Sequence, residues 1–133
     1  MKKKDEERQL TRAEMEIMNI LWSHPTGEAG LGLSTHEIIQ QYPEPQPAYS
    51  TIATFLKILV NKNFVGARKF EGGGKTLLFY PLLTRDEYTS RVMKEVKSTF
   101  FAGSLKSMLS FFAKQEDVSE EDLQEILALI KEK

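Results

Sequence analysis

The sequence predicts a mainly α fold with a small β-hairpin, in which a winged helix-turn-helix unit is followed by C-terminal dimerisation helices. Ser/Thr-x-x-Glu capping boxes begin at Thr11, Ser34 and Thr84, and each precedes apolar residues at helical spacing. Two short β-rich runs flank the glycine cluster 72–74, which is typical of a hairpin. Residues 84–133 carry more apolar helix surface than so short a segment can bury alone. We therefore expect residues 1–83 to form the winged-helix domain and residues 84–133 a helical dimerisation segment.

The first two helices are predicted from their start and stop signals. The first follows the capping box at Thr11, ends near Pro25 and Gly27, and has an apolar face made of Ile17, Met18, Leu21 and Trp22. The second follows the box at Ser34 and ends before the run PEPQP, because a residue before proline disfavours the α conformation. Its apolar residues are Ile38, Ile39 and Tyr42.

A third helix is predicted to begin near Ser50, and its apolar stripe at i, i+3, i+4 and i+7 is Ile52, Phe55, Leu56 and Leu59. The rest of this helix surface is small and polar. The runs FVGARKF and TLLFYPLL follow, joined by EGGGK, so a hairpin with a flexible tip is expected. Three helices and then a hairpin is the order of a winged helix.

The C-terminal segment is predicted to be helical and to pair with a second copy. A long helix begins at Thr84 and a restart is expected around residues 102–104, where a glycine interrupts the pattern. The next helix is apolar around too much of its circumference for a lone surface helix, and a last helix from about Ser119 has one apolar stripe. Symmetric association covers such surface most simply. The residues expected at the interface are Phe101, Leu105, Met108, Leu109, Phe112, Leu123, Ile126, Leu127 and Ile130.

Composition limits the function classes. With 133 residues, 41% hydrophobic and 28% charged, the chain has the balance of a folded soluble protein. It has no apolar run of membrane-spanning length, and MKKKDEER lacks the apolar stretch of a signal peptide, so we expect a cytoplasmic protein without membrane insertion. Because it has no cysteine and its histidines are His24 and His36 alone, no metal and no cofactor are expected.

Charge is unevenly distributed, although the formal net charge is only -1. Residues 46–81 contain Lys57, Lys62, Arg68, Lys69 and Lys75 against Glu71, which is +4. Residues 115–133 contain seven acidic and two basic side chains, which is -5. A basic middle and an acidic end indicate different tasks for the two parts.

Three blocks of sequence resemble the penicillinase-repressor (BlaI/MecI) family. They are LTRAEMEIMNILW at 10–22, AYSTIATFLKILVNKNFV at 48–65 and FFAGSLKSMLSFFAK at 100–114. The resemblance implies a dimeric winged-helix repressor whose third helix enters the major groove of operator DNA. In that family repression is relieved by proteolytic cutting of the dimerisation segment, linked to a membrane sensor with a zinc-protease domain.

The sequence departs from the family pattern at several positions. Phe111-Phe112 stands where the family has an Asn-Phe cleavage site, so this pair is the candidate proteolysis region, but the usual trigger cannot simply be carried over. Ala53 and Ile58 replace longer polar or basic side chains on the recognition helix, so the operator sequence and affinity can differ. A copper-responsive branch with a cysteine-bearing tail is excluded, because the chain has no cysteine.

The candidate DNA contacts lie on the third helix and the hairpin. Thr51 and Thr54 are expected at base edges, while Ser50, Lys57 and Asn61 contact phosphates or bases. Arg68, Lys69 and Lys75 are expected to meet the DNA backbone from the wing. The simpler interpretations, an ordinary solvated helix face and a plain surface hairpin, stay open from the residues alone, and the resemblance favours DNA.

The predicted function is therefore a DNA-binding transcriptional repressor that acts as a homodimer on a palindromic operator. The alternative is a winged-helix module that binds an acidic protein surface. An enzyme is not expected and no catalytic residue is assigned, because there is no nucleophile-base pair and the adjacent Glu120 and Glu121 point to different sides of a helix.

Overall fold

The computed structural model of the chain describes residues 9–25, 27, 30–70, 72 and 74–132. Its elements are α1 (Arg12–Ser23), α2 (Thr35–Gln40), α3 (Tyr49–Asn61), β1 (Val65–Lys69), β2 (Leu77–Pro81), α4 (Arg85–Phe101), α5 (Leu105–Gln115) and α6 (Glu120–Lys131). This confirms the predicted fold class, since the chain is mainly helical with a two-stranded antiparallel hairpin. The N-terminal run MKKKDEER and part of the predicted glycine tip, Glu71 and Gly73, lie outside the described residues.

The three predicted capping boxes all form. Thr11 Oγ1 accepts a hydrogen bond from Glu14 N–H at 3.2 Å, and the Glu14 carboxylate accepts one from Thr11 N–H at 2.8 Å. The same reciprocal pair joins Ser34 with Glu37, and Thr84 with Glu87. These bonds satisfy amides that would have no partner at the starts of α1, α2 and α4, which is why short local motifs fix those starts.

The hairpin is completed by a third backbone segment. β1 and β2 pair antiparallel with Val65 opposite Pro81 and Lys69 opposite Leu77. Leu33 joins the other edge of β2, where its N–H and C=O exchange hydrogen bonds with Phe79 at 2.9 and 2.8 Å. The preceding Gly32 has φ +135°, and a Cβ there would lie 2.6 Å from Phe79 O, so glycine alone fits.

The chain divides into two compact units, Met1–Thr89 and Ser90–Lys133. The core of the first unit lies between α1, α2, α3 and β2 and is formed by Ile17, Met18, Leu21, Leu33, Ile38, Ile52, Leu56, Leu59, Phe64, Val65, Leu78, Phe79 and Tyr88. The sequence placed the boundary between residues 83 and 84. The first unit extends further because Tyr88, in α4, packs 5.8 Å from the ring of Phe64 and its hydroxyl accepts a hydrogen bond from Leu10 N–H at 2.8 Å.

Within the second unit, the predicted helix restart is present. α4 ends at Phe101, and Ala102 and Gly103 follow with φ +50° and +81°. Gly103 N–H donates to Lys97 O at 2.9 Å, which closes the helix in a left-handed C-terminal turn. Ser104 then caps α5 by accepting from Ser107 N–H at 3.1 Å, and Ser119 caps α6 from Asp122 N–H at 3.0 Å.

Candidate nucleic-acid interface

Helix α3 has a buried face and an exposed polar face. Ile52, Leu56 and Leu59 are buried and fix the helix to the core. At about 100° per residue, the opposite side is a polar stripe. This outward stripe consists of Ser50, Thr51, Thr54, Lys57 and Asn61, all exposed. The sequence-predicted contacts of this helix therefore lie together on one solvent-facing side, and Ile58, which is 37% exposed, lies between Thr51 and Thr54 on that side.

The hydroxyl of Thr54 is oriented by its own helix. Thr54 Oγ1 donates to the Ser50 carbonyl oxygen at 2.8 Å. Its proton is thus already used, and what the side chain offers outward is a methyl group and acceptor lone pairs. Such a group suits a thymine methyl or the amino group of cytosine in the major groove.

A groove lies between α3 and the hairpin. Its apolar lining is formed by Ala53, Val60, Ala67, Leu77 and Phe79. Lys57 and Asn61 border it from α3, and Lys75 borders it from the hairpin. His36 and Tyr49, whose rings are 5.0 Å apart, line the end nearest α2. None of the described residues that line this groove is acidic, so the groove favours an anionic occupant.

Lys62 does not contribute to this basic surface, although the charge count of the sequence included it. Its Nζ lies 3.0 Å from both carboxylate oxygens of Glu14, and the Glu14 side chain is only 3% exposed. The pair ties the end of α3 to the start of α1. Burial raises the pKa of Glu14, but the hydrogen bond from Thr11 and the contact with Lys62 outweigh it, so the pKa lies below its ordinary value of 4.5.

The hairpin carries the remaining predicted contacts. Arg68, Lys69 and Lys75 are exposed. The guanidinium of Arg68 lies over the ring of Tyr80, 4.0 Å from the ring centroid. Sequence reasoning did not single out Tyr80, because its relation to Arg68 depends on the strand register, which the glycine-rich tip left open.

The second unit exposes an apolar surface. Leu105, Leu109 and Phe112 of α5 are 53%, 56% and 43% exposed, and every residue of α6 is exposed, including Leu123, Ile126, Leu127 and Ile130. Phe101 is half-buried, with its ring 5.6 Å from that of Phe111. Met108 differs from the other predicted interface residues because it is 8% exposed and already packed within the chain.

Neither a metal site nor a membrane span was found in the part of the chain that the structure describes. No group of three or more His, Cys, Asp or Glu side chains in that part could hold a metal ion. None of its helices combines the length and the hydropathy needed to cross a bilayer.

The chain matches the family model described as penicillinase repressor over residues 10–132. The penicillinase repressor of Bacillus licheniformis is 25% identical over 125 residues, which cover 93% of this chain and 91% of that protein. The methicillin resistance regulatory protein MecI of Staphylococcus aureus strain N315 is 25% identical over 125 residues, covering 94% and 95%. The penicillinase repressor of Staphylococcus aureus is 25% identical over 128 residues, covering 93% and 92%. The similarity runs through both compact units.

Proposed function

The chain belongs to the penicillinase repressor family of DNA-binding transcriptional regulators, and from this premise we propose that it represses transcription as a homodimer on a roughly palindromic operator. Relatives named as repressors and as a regulatory protein also confirm the expectation that the chain is not an enzyme. Repression of this kind needs occupancy alone, since a bound dimer excludes polymerase from a promoter.

One observation carries the proposal: the exposed polar stripe of α3 is continuous with a groove that Lys57 and Lys75 border and whose described lining residues include no acid. A major groove about 12 Å wide accepts an α-helix, so α3 enters it with the outward stripe against the bases. Thr51 and Thr54 meet base edges, and Ser50 and Asn61 meet bases or phosphates. Short side chains along this stripe allow the close approach that base contact requires.

The wing contributes the sequence-independent part of binding. With α3 in the major groove, the neighbouring sugar-phosphate backbone runs along the groove between α3 and the hairpin, within reach of Lys57 and Lys75. Lys69, which shares a strand face with Ala67, extends this contact, and Arg68 meets the backbone from the other face of the hairpin. Each phosphate that such a cation neutralises releases counterions and contributes about 0.9 to the slope of log affinity against log salt.

Dimerisation supplies the second DNA-binding unit. The apolar side chains on α5 and α6 are about half exposed in one chain, and a two-fold pairing covers each with the same surface of its partner. Two α3 helices then lie in successive major grooves, about 34 Å apart. A single chain would have half the phosphate contacts, so its affinity at physiological salt would be far lower.

Relief of repression follows, in this proposal, from cutting in the C-terminal segment by a protease coupled to a membrane sensor. Phe111 and Phe112 are 49% and 43% exposed on α5. A cut between them separates α6 and the end of α5 from the DNA-binding unit, which removes Leu123, Ile126, Leu127 and Ile130 from the dimer. A chain that ends at Phe111 should therefore sediment as a monomer and should release DNA at salt concentrations where the full chain stays bound.

The test is capture of genomic fragments by the purified full chain at physiological salt, followed by retardation of the enriched promoter with a salt titration. We expect one or a few promoters to be enriched and the log-log plot to be linear. Lys57→Glu and Arg68→Glu should abolish retardation, whereas Lys114→Glu in the second unit is the matched charge control. If no fragment is enriched over bulk DNA and the plot is flat, binding of an acidic protein surface becomes the better assignment.

A further inference from the structure

We propose that Tyr80 is a positioning residue of the wing: its ring holds the Arg68 guanidinium in place for a DNA phosphate. The inference rests on the proposed function, because the phosphate that Arg68 is held to meet belongs to bound DNA. It concerns the face of the hairpin away from the groove beside α3.

The strand register puts Tyr80 against a glycine. Gly66 is the residue directly opposite Tyr80, and a Cβ on Gly66 would lie 2.4 Å from the Tyr80 Cζ atom. The ring therefore lies flat across β1, in the space that any other residue at position 66 would fill. A glycine covered by a cross-strand aromatic ring is a recognised way to stabilise a sheet at such a position.

From its position over Gly66, the Tyr80 ring contacts Arg68, two residues further along β1. Side chains alternate along a strand, so Gly66 and Arg68 share one face, and the distance of 4.0 Å from guanidinium carbon to ring centroid is a close cation-π contact. A stacked guanidinium keeps its N–H edges free, and those edges are what a phosphate accepts in bidentate form. The ring thus restricts a long, exposed side chain without occupying its donors.

The contact also extends the interface. Ala67, Leu77 and Phe79 point to the opposite face of the hairpin, where they line the groove beside α3. Lys75 is on the groove side and Arg68 is on the other side, so in this proposal the two cations meet different phosphates. The wing then has a cation for the backbone on each of its faces.

The experiment uses the full chain and a fluorescently labelled mixed-sequence DNA duplex at low salt, with Tyr80→Leu, Tyr80→Phe, Arg68→Ala and the double variant Arg68→Ala/Tyr80→Leu. Tyr80→Leu should weaken binding about two- to fivefold for each bound chain, the range of an exposed cation-π contact. Tyr80→Phe should bind as the unmodified chain does, because it keeps the ring. In the Arg68→Ala background, Tyr80→Leu should cause no further loss.

A second measurement, of proton chemical shifts, needs no DNA. It remains informative if a variant folds poorly, because the unmodified chain alone can be measured. The side-chain proton signals of Arg68 should show upfield ring-current shifts in the unmodified chain and in Tyr80→Phe, which both have the ring. These shifts should be absent in Tyr80→Leu. Absence of those shifts in the unmodified chain overturns the inference. The inference is also overturned if Tyr80→Leu lowers the DNA affinity equally in the unmodified and the Arg68→Ala backgrounds, because Tyr80 would then act independently of Arg68. If the unmodified chain does not bind the duplex at all, it is the proposed function that fails.

Discussion

Two lysines of α3 and its C-terminal cap provide a sharp test of which residues serve stability and which serve DNA. Lys57 and Lys62 are five positions apart, about 140° around the helix, so they lie on different faces. Lys57 borders the groove beside the wing, and Lys62 is bonded to the buried Glu14. We compare Lys57→Met with Lys62→Met, because methionine keeps the aliphatic stem and removes only the charge.

The magnitude for Lys62→Met follows from the burial of its partner. The Glu14 side chain is 3% exposed and Lys62 is 20% exposed, so the substitution leaves a carboxylate in the interior that keeps its hydrogen bonding with Thr11. A hydrogen bond to a charged group contributes about 1.5–3 kcal/mol, and breaking a buried pair costs about 3–5 kcal/mol. Because Lys62 is partly hydrated and the hydrogen bonding with Thr11 remains, we expect a loss of about 2–3 kcal/mol in the free energy of unfolding. For a unit of this size that lowers Tm by about 8–24 °C.

Lys57→Met should show the converse pattern. Its unfolding free energy should change by less than about 0.5 kcal/mol, as for an ordinary surface site. The slope of log affinity against log salt should fall by about 0.9 for each phosphate that the lysine neutralised in the unmodified chain. Urea unfolding followed by circular dichroism gives the first quantity, and anisotropy of a labelled duplex gives the second. If Lys62→Met lowers the salt slope and leaves stability unchanged, the assignment of the two faces is wrong.

Three further outcomes are expected. The depressed pKa of Glu14 means that its contribution to stability is present above about pH 4.5, its ordinary value, and is lost as pH falls through the lower folded pKa, so Glu14→Gln should flatten acid destabilisation. Leu127→Arg should turn the dimer into a monomer in sedimentation, while Leu82→Arg, at the similar exposure of 51%, should leave assembly unchanged. Ser104→Ala removes the cap of α5 and should cost about 1 kcal/mol of unfolding free energy in chemical denaturation.

Each of these has an outcome that contradicts it. An unchanged pH profile in Glu14→Gln would mean that other carboxylates dominate acid unfolding. A dimeric Leu127→Arg, or a monomeric Leu82→Arg, would move the interface away from α6. Full stability of Ser104→Ala would mean that α5 gains nothing from the hydrogen bond to Ser107 N–H.

The parts of the fold that were predictable are those with local causes. The boxes at Thr11, Ser34 and Thr84 fix helix starts through bonds that span three residues, so the sequence alone contains them. The restart after Phe101 has a glycine as its signal. Likewise the outward stripe of α3 follows from helical spacing, and the structure shows its members exposed together.

What escaped prediction depends on residues far apart in the chain. Glu14 was interpreted only as a cap, and Lys62, 48 positions away, only as surface charge, because nothing local reveals that they meet. The bridge between Leu33 and Phe79 has no pattern of its own, since a single strand residue in a glycine-rich loop has no periodicity. Tyr80 needed the register before its contact with Arg68 could be seen. The role of the DNA-contact and interface residues stays a prediction.

The bridge at Leu33 also fixes the length of chain between the sheet edge and the start of α2. A Cβ at Gly30 would meet nothing within 4 Å, whereas one at Gly32 would strike the Phe79 carbonyl. Ser34, which caps α2, follows directly, so an insertion downstream of Gly32 would separate the sheet edge from the helix it introduces. An insertion between Gly32 and Ser34 should therefore destabilise the first unit, and chemical denaturation would measure the loss.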